Sequence, residues 1–314
     1  MKFHSSINFW FWKASIILLS QSFAFAQQTT PNLINLSYIN YNPAITGIHE
    51  GIDVLFVNHQ DFQFQSRLAQ ASIFLPKTRL STGILVESYQ SLLQSQTQIK
   101  FNLSYRIKIK GGFLQFGMAP ALHNSRLHAD NLKIKNPEDP SSTLQSYNLW
   151  GFNYNVGGLY KNNKLHLSLW VQNIGPHHYF TGNENSSLSL SRQFSGYSSY
   201  KFSLGEHWQY VPSVYYQNVK GTSFAAFANQ VIFKSVFIAF QYGMYKFWTG
   251  SLGIYQSEIG KWGNLYLGYS LSSRSLGIST NLAHEIYLNF SFRNSGKTKA
   301  KVDDIPYYHS PVYF

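Results

Sequence analysis

From about residue 50 onward, apolar and polar side chains alternate along the chain with a period of two. The clearest run is Ile99–Ile109, whose odd-numbered residues are apolar or aromatic. Its even-numbered residues are Lys100, Asn102, Ser104, Arg106 and Lys108. Because successive side chains of a strand point to opposite faces, this run predicts a strand with one apolar face and one polar, basic face. A helix would distribute the same residues around its circumference.

Fourteen segments of the chain show this alternation of apolar and polar residues. They lie near 50–59, 67–75, 80–91, 96–109, 112–122, 147–160, 163–173, 191–203, 206–217, 221–234, 235–245, 247–258, 262–273 and 283–292. A barrel strand that crosses a bilayer needs about 9–11 residues, which these segments supply. Single-chain bacterial barrels have an even number of strands and short periplasmic turns, so we predict about fourteen strands, with counts from twelve to sixteen left open.

The connections between these segments differ in length in the way that a barrel requires. Short periplasmic turns are predicted at 76–79, 110–112, 161–164, 204–206 and 258–261. Two long outside loops are predicted at 123–146 and 174–190, and a connection of intermediate length at 274–282. Two further outside connections, near 218–220 and 246, are short, so the pattern is imperfect.

Composition narrows the fold class further. The chain has 314 residues, of which 12% are charged and 17% aromatic, and it contains no Cys. Ordinary soluble domains have about 25% charged residues, and a soluble β-sandwich or propeller needs that charge on its surface. The aromatic content excludes intrinsic disorder, and the lack of Cys excludes disulfide scaffolds and thiol catalysis. We therefore predict an all-β protein, a transmembrane antiparallel outer-membrane β-barrel.

The first 26 residues predict a secretory signal peptide. Lys2 and Lys13 provide its positive charge, an apolar stretch follows, and Ala24-Phe25-Ala26 is a small-x-small cleavage site. The apolar stretch is too short for a membrane-spanning helix, and no other stretch of the chain is long and apolar enough for one. We expect the protein in the outer membrane of a Gram-negative bacterium, with both termini in the periplasm.

Two flanking segments are rich in apolar or aromatic residues without being predicted strands. We expect the segment 27–49 to form a plug inside the barrel 50–292 or a rim beneath it. The tail 293–314 is predicted to enter the periplasm, and there it either is disordered or docks a partner. In the docking alternative its aromatic residues act as anchors. These residues are Tyr307, Tyr308, Tyr313 and Phe314.

Two short motifs carry a resemblance to a known family. Tyr41–Gly47, with Asn42, Pro43, Ala44 and Gly47 in fixed positions, resembles the Asn-Pro-Ala-x-x-Gly signature of the PorP/SprF family. His284-Glu285 opens the last predicted strand, as in the closing strand of that family. Length, signal peptide and barrel layout are similar over essentially the whole chain.

The resemblance implies an outer-membrane component of the type IX secretion system of Bacteroidetes-type bacteria. It implies a role in secretion or surface attachment of adhesins that carry a type B C-terminal domain, with gliding as one setting. The implied partners are outer-membrane lipid, such a cell-surface adhesin, and periplasmic secretion components or a peptidoglycan-associated lipoprotein.

The motif residues also permit a physical interpretation. Pro43 fixes a backbone angle and Gly47 permits a positive one, so the motif can shape a plug or a rim. His284 and Glu285 are adjacent on a strand and therefore point to opposite faces. They are predicted to make a rim hydrogen bond that fixes barrel closure, with direct contact to cargo as the alternative.

Other chemistry receives little support from the sequence. The chain has neither a Gly-x-Ser-x-Gly motif nor a Walker or dinucleotide-binding loop, so we predict no catalytic, cofactor or metal site. The formal net charge is +12, but the basic residues are spread along strands and turns. They are expected to line the lumen or meet anionic lipid headgroups rather than bind nucleic acid. A porin or hydrophobic-solute channel, and less readily a membrane-embedded lipid hydrolase, remain alternatives.

Overall fold

The structure is a computed structural model. It describes residues 41–49, 51–61, 64–128, 146–175, 179–180, 191–244, 247–257, 263–276 and 279–292. The predicted signal peptide, the first part of the predicted plug or rim segment, and the tail 293–314 with Tyr307, Tyr308, Tyr313 and Phe314 lie outside the described residues.

The described residues form one antiparallel sheet that closes on itself. Its strands are β1 (Ile52–Gln60), β2 (Phe64–Leu75), β3 (Leu80–Ser91), β4 (Gln94–Ile109), β5 (Gly112–Leu127), β6 (Tyr147–Asn162), β7 (Leu165–Gln172), β8 (Tyr179–Phe180), β9 (Gln193–Tyr200), β10 (Phe202–Ser203), β11 (Trp208–Val219), β12 (Thr222–Phe233), β13 (Val236–Gly243), β14 (Phe247–Ser257), β15 (Gly263–Leu276) and β16 (Ser279–Phe292).

Fourteen of these strands make the barrel wall in the described part of the chain. Each pairs with its sequence neighbours, β9 pairs with both β7 and β11, and β16 pairs with β1 to close the barrel. The remaining two strands, β8 and β10, have two residues each and pair only with β6 and β11. The prediction of an antiparallel barrel of about fourteen strands is therefore confirmed.

The two ends of the barrel differ in their connections. At one end, which we call the short-turn end, β1 begins, β16 ends, and the strands are joined by turns such as 76–79, 110–111 and 163–164. At the opposite end lie the two long connections, 128–146 and 173–192. The first of these is shorter than predicted, because β5 continues to Leu127 in register with β4 and β6.

The intermediate connection predicted at 274–282 is wrong. Both strands continue through most of it, and Arg274 pairs with Asn281 in the ladder between β15 and β16. Only residues 277–278 separate the two strands. The polar, Ser-rich sequence conceals this hairpin because strands that project beyond a bilayer lose the apolar outer face on which the prediction depended.

The two faces of the wall follow the alternation in the sequence. On β4 the odd-numbered side chains, such as Phe101 and Leu103, are exposed on the outside of the barrel. The even-numbered side chains from Lys100 to Arg106 are buried on the inside. An apolar outer surface over a polar interior is the arrangement that lipid requires of a barrel. Among the described residues, no helix has the length and apolar character to cross a bilayer.

Candidate functional site

Residues Tyr41–His49 form a compact segment, here called the plug segment, inside the barrel. It contains one turn of 3-10 helix, Pro43–Ile45, which packs against β4, β5 and β6. The seven residues from Asn42 to Ile48 are all buried, and Ala44 is 0% exposed. Since the neighbouring side chains are those of the inner wall, the segment occupies part of the lumen. It lies towards the short-turn end, where β1 begins directly after it.

The motif residues explain the shape of the plug segment. The side-chain oxygen of Asn42 accepts a hydrogen bond of 2.8 Å from the Ala44 amide, which caps the helical turn. Pro43 suits the first position of such a turn because it has no amide hydrogen to leave unpaired. Gly47 has a φ of 64°, and a Cβ there would lie 2.6 Å from the Ser81 side chain. Both the conformation and the space therefore require glycine at this position.

Arg106 is the strongest anchor of the plug segment. Its Nη2 donates hydrogen bonds of 2.6 Å and 2.9 Å to the backbone carbonyls of Gly47 and Ile48. The guanidinium lies between two aromatic rings, 4.1 Å from the centroid of Phe74 and 4.3 Å from that of Phe113. Hydrogen bonds from a charged donor are stronger than neutral ones. Arg106 thus ties the end of the segment to the wall while its charge is partly balanced by ring faces.

A second contact fixes the middle of the plug segment. The Thr46 carbonyl accepts hydrogen bonds from Gln115 Nε2 at 2.7 Å and from Ser104 Oγ at 3.0 Å. Gln115 is itself held by Arg106, whose Nε donates to Gln115 Oε1 at 3.0 Å. Arg106, Gln115 and Ser104 therefore act as one connected network on the inner faces of β4 and β5.

The start of the plug segment is held from another side. The side-chain Nδ2 of Asn42 donates hydrogen bonds to the Ser168 hydroxyl on β7 and, at 3.4 Å, to the Gly158 carbonyl on β6. Gln172 Nε2 donates to the Tyr41 carbonyl at 3.2 Å. With the contacts to β4 and β5, these bonds attach the segment to four strands of the wall.

Two glycines make room for the plug segment on the inner wall. At Gly117 of β5, a Cβ would overlap the backbone of Pro43 and Ala44, and at Gly157 of β6 it would overlap the side chain of Asn42. Gly in a strand interior often marks a place where another backbone approaches closely. These positions let the plug backbone lie directly on the sheet, within reach of the side chains that bind it.

Two cations lie near the end of the plug segment. His49 is half-buried beside the side chains of Lys161 and Arg106. Its withdrawal from water, and then these two cations, lower the pKa of His49 to about 3 from its ordinary 6.5. The imidazole is therefore neutral when the segment is in place.

His284 and Glu285 lie on opposite faces of β16. Glu285 is buried in the lumen, and its Oε2 is 3.3 Å from His59 Nδ1 on β1, across the seam where the barrel closes. His284 faces outward, and its Nδ1 lies 2.6 Å from the Tyr269 hydroxyl of β15. Glu285 thus contacts the strand on one side and His284 the strand on the other.

The sequence did not single out the wall residues that bind the plug segment. Arg106, Gln115, Ser104 and Ser168 are separated by 58 or more residues from the plug atoms they contact. Two features of the sequence could have indicated this part of the wall: an Arg on the inward-pointing face of a predicted strand, and isolated glycines inside strand patterns. Among the described residues, no group of three metal-binding side chains comes together.

Comparison with known proteins gives a sequence family and a shared fold. It matches the sequence model of a family described as "Type IX secretion system membrane protein PorP/SprF" over residues 24–290. Among curated proteins, none matches it. Its fold is similar to that of the "CymD monoaromatic hydrocarbon channel", with a TM-score of 0.52, 8% identity, and coverage of 82% of this chain and 93% of that chain. It is also similar to the "TodX deltaS2S3 mutant monoaromatic hydrocarbon channel", with a TM-score of 0.50, 8% identity, and coverage of 86% and 100%. At these identities the likeness establishes only a shared fold, that of outer-membrane β-barrels.

Proposed function

The chain belongs to the PorP/SprF family of type IX secretion system membrane proteins, and from this premise we propose that it acts by binding partner proteins at the outer membrane. In this proposal the barrel is not an enzyme, and its lumen is closed by the plug segment. It serves secretion or surface attachment of an adhesin with a type B C-terminal domain, in gliding bacteria as one setting. On the periplasmic side it contacts secretion components or a peptidoglycan-associated lipoprotein.

The attachment of the plug segment is the observation that carries this proposal. A solute channel needs a continuous polar path, whereas here Arg106, Gln115 and Ser168 hold buried backbone and side-chain atoms of the plug across the inner wall. Residues from four strands converge on nine residues of chain, and two wall glycines fit that chain closely. A barrel whose lumen is occupied in part by its own chain is less suited to pass solutes, which favours a role in binding other proteins.

The proposal is tested by affinity purification of the tagged protein from native outer membranes, followed by mass spectrometry. We expect a cell-surface adhesin or a periplasmic component of the secretion system to be recovered with the barrel. A tagged outer-membrane barrel of another family, purified from the same cells, is the control. Recovery of the barrel with lipid alone, or with the same proteins as the control, would contradict the proposal.

The two alternative functions predict different results with the same purified protein. A porin or hydrophobic-solute channel would conduct ions or pass its solute through the wild-type barrel. A lipid hydrolase would cleave ester substrates, and a single Ser or His substitution would abolish that activity. Under the proposal neither activity is observed.

A further inference from the structure

The exposed charges at the short-turn end are almost all positive. The described part of that end has six exposed basic side chains and one exposed carboxylate, that of Glu206. We call these six residues the basic rim: they are Lys77, Arg79, Lys108, Lys110, Lys164 and Lys234. Such a concentration of one sign creates a local positive potential at the mouth of the barrel.

The topology places five of these six cations on or next to three successive turns of the barrel mouth, between β2 and β7, and Lys234 on the turn between β12 and β13. Every second connection of an up-and-down barrel lies at the same end, and the turns 76–79, 110–111 and 163–164 are successive examples. Neighbouring strands are about 4.8 Å apart, so adjacent turns at this end are separated by roughly 10 Å. Two of the turns have two cations each on or next to them, Lys77 with Arg79 and Lys108 with Lys110, and two have one, Lys164 and Lys234.

A belt of exposed aromatic residues lies at the same end of the barrel, at the ends of β10, β11, β12 and β16. Phe202, Trp208, Phe233 and Phe292 are at the strand ends of the short-turn end and are 38–48% exposed. The rings of Trp208 and Phe233 are 4.5 Å apart, and Lys234 Nζ lies 5.5 Å from the Phe233 centroid. Because Phe233 points outward, Lys234 extends over the outer surface. Such aromatic belts mark the interface between hydrocarbon and headgroups.

From this arrangement we propose that the basic rim binds the phosphate groups of anionic glycerophospholipids in the leaflet at the short-turn end. The turns are short, with four residues at 76–79 and two at 110–111 and 163–164, so they hold their cations close to the strand ends, at the barrel end that carries the aromatic belt. This interaction is independent of the proposed partner proteins, so either proposal can fail alone.

The test uses the full-length barrel in detergent micelles that contain equal amounts of phosphatidylglycerol and phosphatidylethanolamine. Native mass spectrometry then gives the ratio of the two lipids retained by the protein. The rim variant carries Lys77→Gln, Lys110→Gln and Lys164→Gln. The control variant removes three exposed cations from the opposite end of the barrel: Arg67→Gln, Arg126→Gln and Lys220→Gln.

We expect the wild type and the control variant to prefer phosphatidylglycerol, and the rim variant to lose that preference by up to about fivefold per charge removed. The preference should also weaken with added salt. An unchanged preference in the rim variant, or an equal loss in the control variant, would overturn the proposal. So would lipid A displacing phosphatidylglycerol from the wild type. If the rim variant keeps its lipid preference but loses a co-purifying protein, the rim is a protein-docking surface and the proposal is wrong.

Discussion

Replacing Arg106 with Met should release the plug segment while leaving the barrel wall intact. Arg106 lies on the inner face of β4, where it is 2% exposed, and its Nη2 binds the carbonyls of Gly47 and Ile48. Met keeps much of the length and the apolar contact with the rings of Phe74 and Phe113. It cannot donate a hydrogen bond, so the substitution removes the anchor without emptying its site.

The expected magnitude follows from the two bonds to the plug segment. A hydrogen bond from a charged group contributes about 1.5–3 kcal/mol, so two such bonds contribute at least about 3 kcal/mol to docking. The two carbonyls would also stay buried and unpaired if the segment remained in place, which favours its release. A loss of about 3 kcal/mol raises the ratio of released to docked plug by about a hundredfold.

Cysteine labelling measures this ratio directly, because the chain has no Cys of its own. Thr46→Cys places a thiol of similar size at a position that is 2% exposed. With a soluble maleimide, the Thr46→Cys, Arg106→Met protein should react up to about a hundredfold faster than Thr46→Cys alone, in proportion to the released fraction.

Lys108→Met is the matched control, because Lys108 lies two residues farther along β4 and is exposed at the barrel mouth. It should leave the labelling rate unchanged. Fast labelling in the Thr46→Cys protein with Arg106 intact would refute the reasoning. Equal acceleration by the two Met substitutions would refute it as well.

Three further changes test other parts of the account. Gly117→Val should raise Thr46→Cys labelling because its side chain overlaps the plug backbone, whereas Gly158→Ala should not, since a Cβ there lies 3.7 Å from the nearest ring atom. The labelling rate, divided at each pH by that of free cysteine to correct for the falling thiolate fraction, should also rise as the pH falls below about 6.5, by up to about tenfold per unit, because released His49 binds a proton that the docked form, with its lowered pKa, does not. This dependence should be reduced in His49→Gln, and an unchanged pH profile in that variant would contradict the assignment. Deleting residues 300–314 should reduce recovery of the periplasmic partner if the tail docks it, and an unchanged pull-down would exclude that role.

The alternation of apolar and polar residues in the sequence was sufficient to predict most strands of the barrel wall. The inward position of Lys100 and Arg106 and the outward position of Phe101 follow directly from the period of two, and the structure confirms them. The hairpin formed by β15 and β16 was harder to place. Outside hydrocarbon, neither face of a strand needs to be apolar, so its residues near 274–282 carry no periodic signal.

The candidate site was only partly accessible from the sequence. The motif from Asn42 to Gly47 indicated tight local geometry, because Pro and Gly restrict or extend the backbone angles in known ways. The residues that receive this segment are distant in sequence, and their register on the inner wall depends on how the whole barrel closes. Arg106 could be placed inside the barrel, but not opposite Gly47, before the three-dimensional arrangement of β4 and the plug segment was known.

Planar-bilayer recording of the purified wild-type barrel tests the central claim most directly, because a plugged, partner-binding barrel and an open channel differ in ion conductance. We predict that the wild type gives no steady open-channel current, and that Arg106→Met gives measurable openings when its plug segment is released. A stable, porin-like conductance through the wild type would contradict the account.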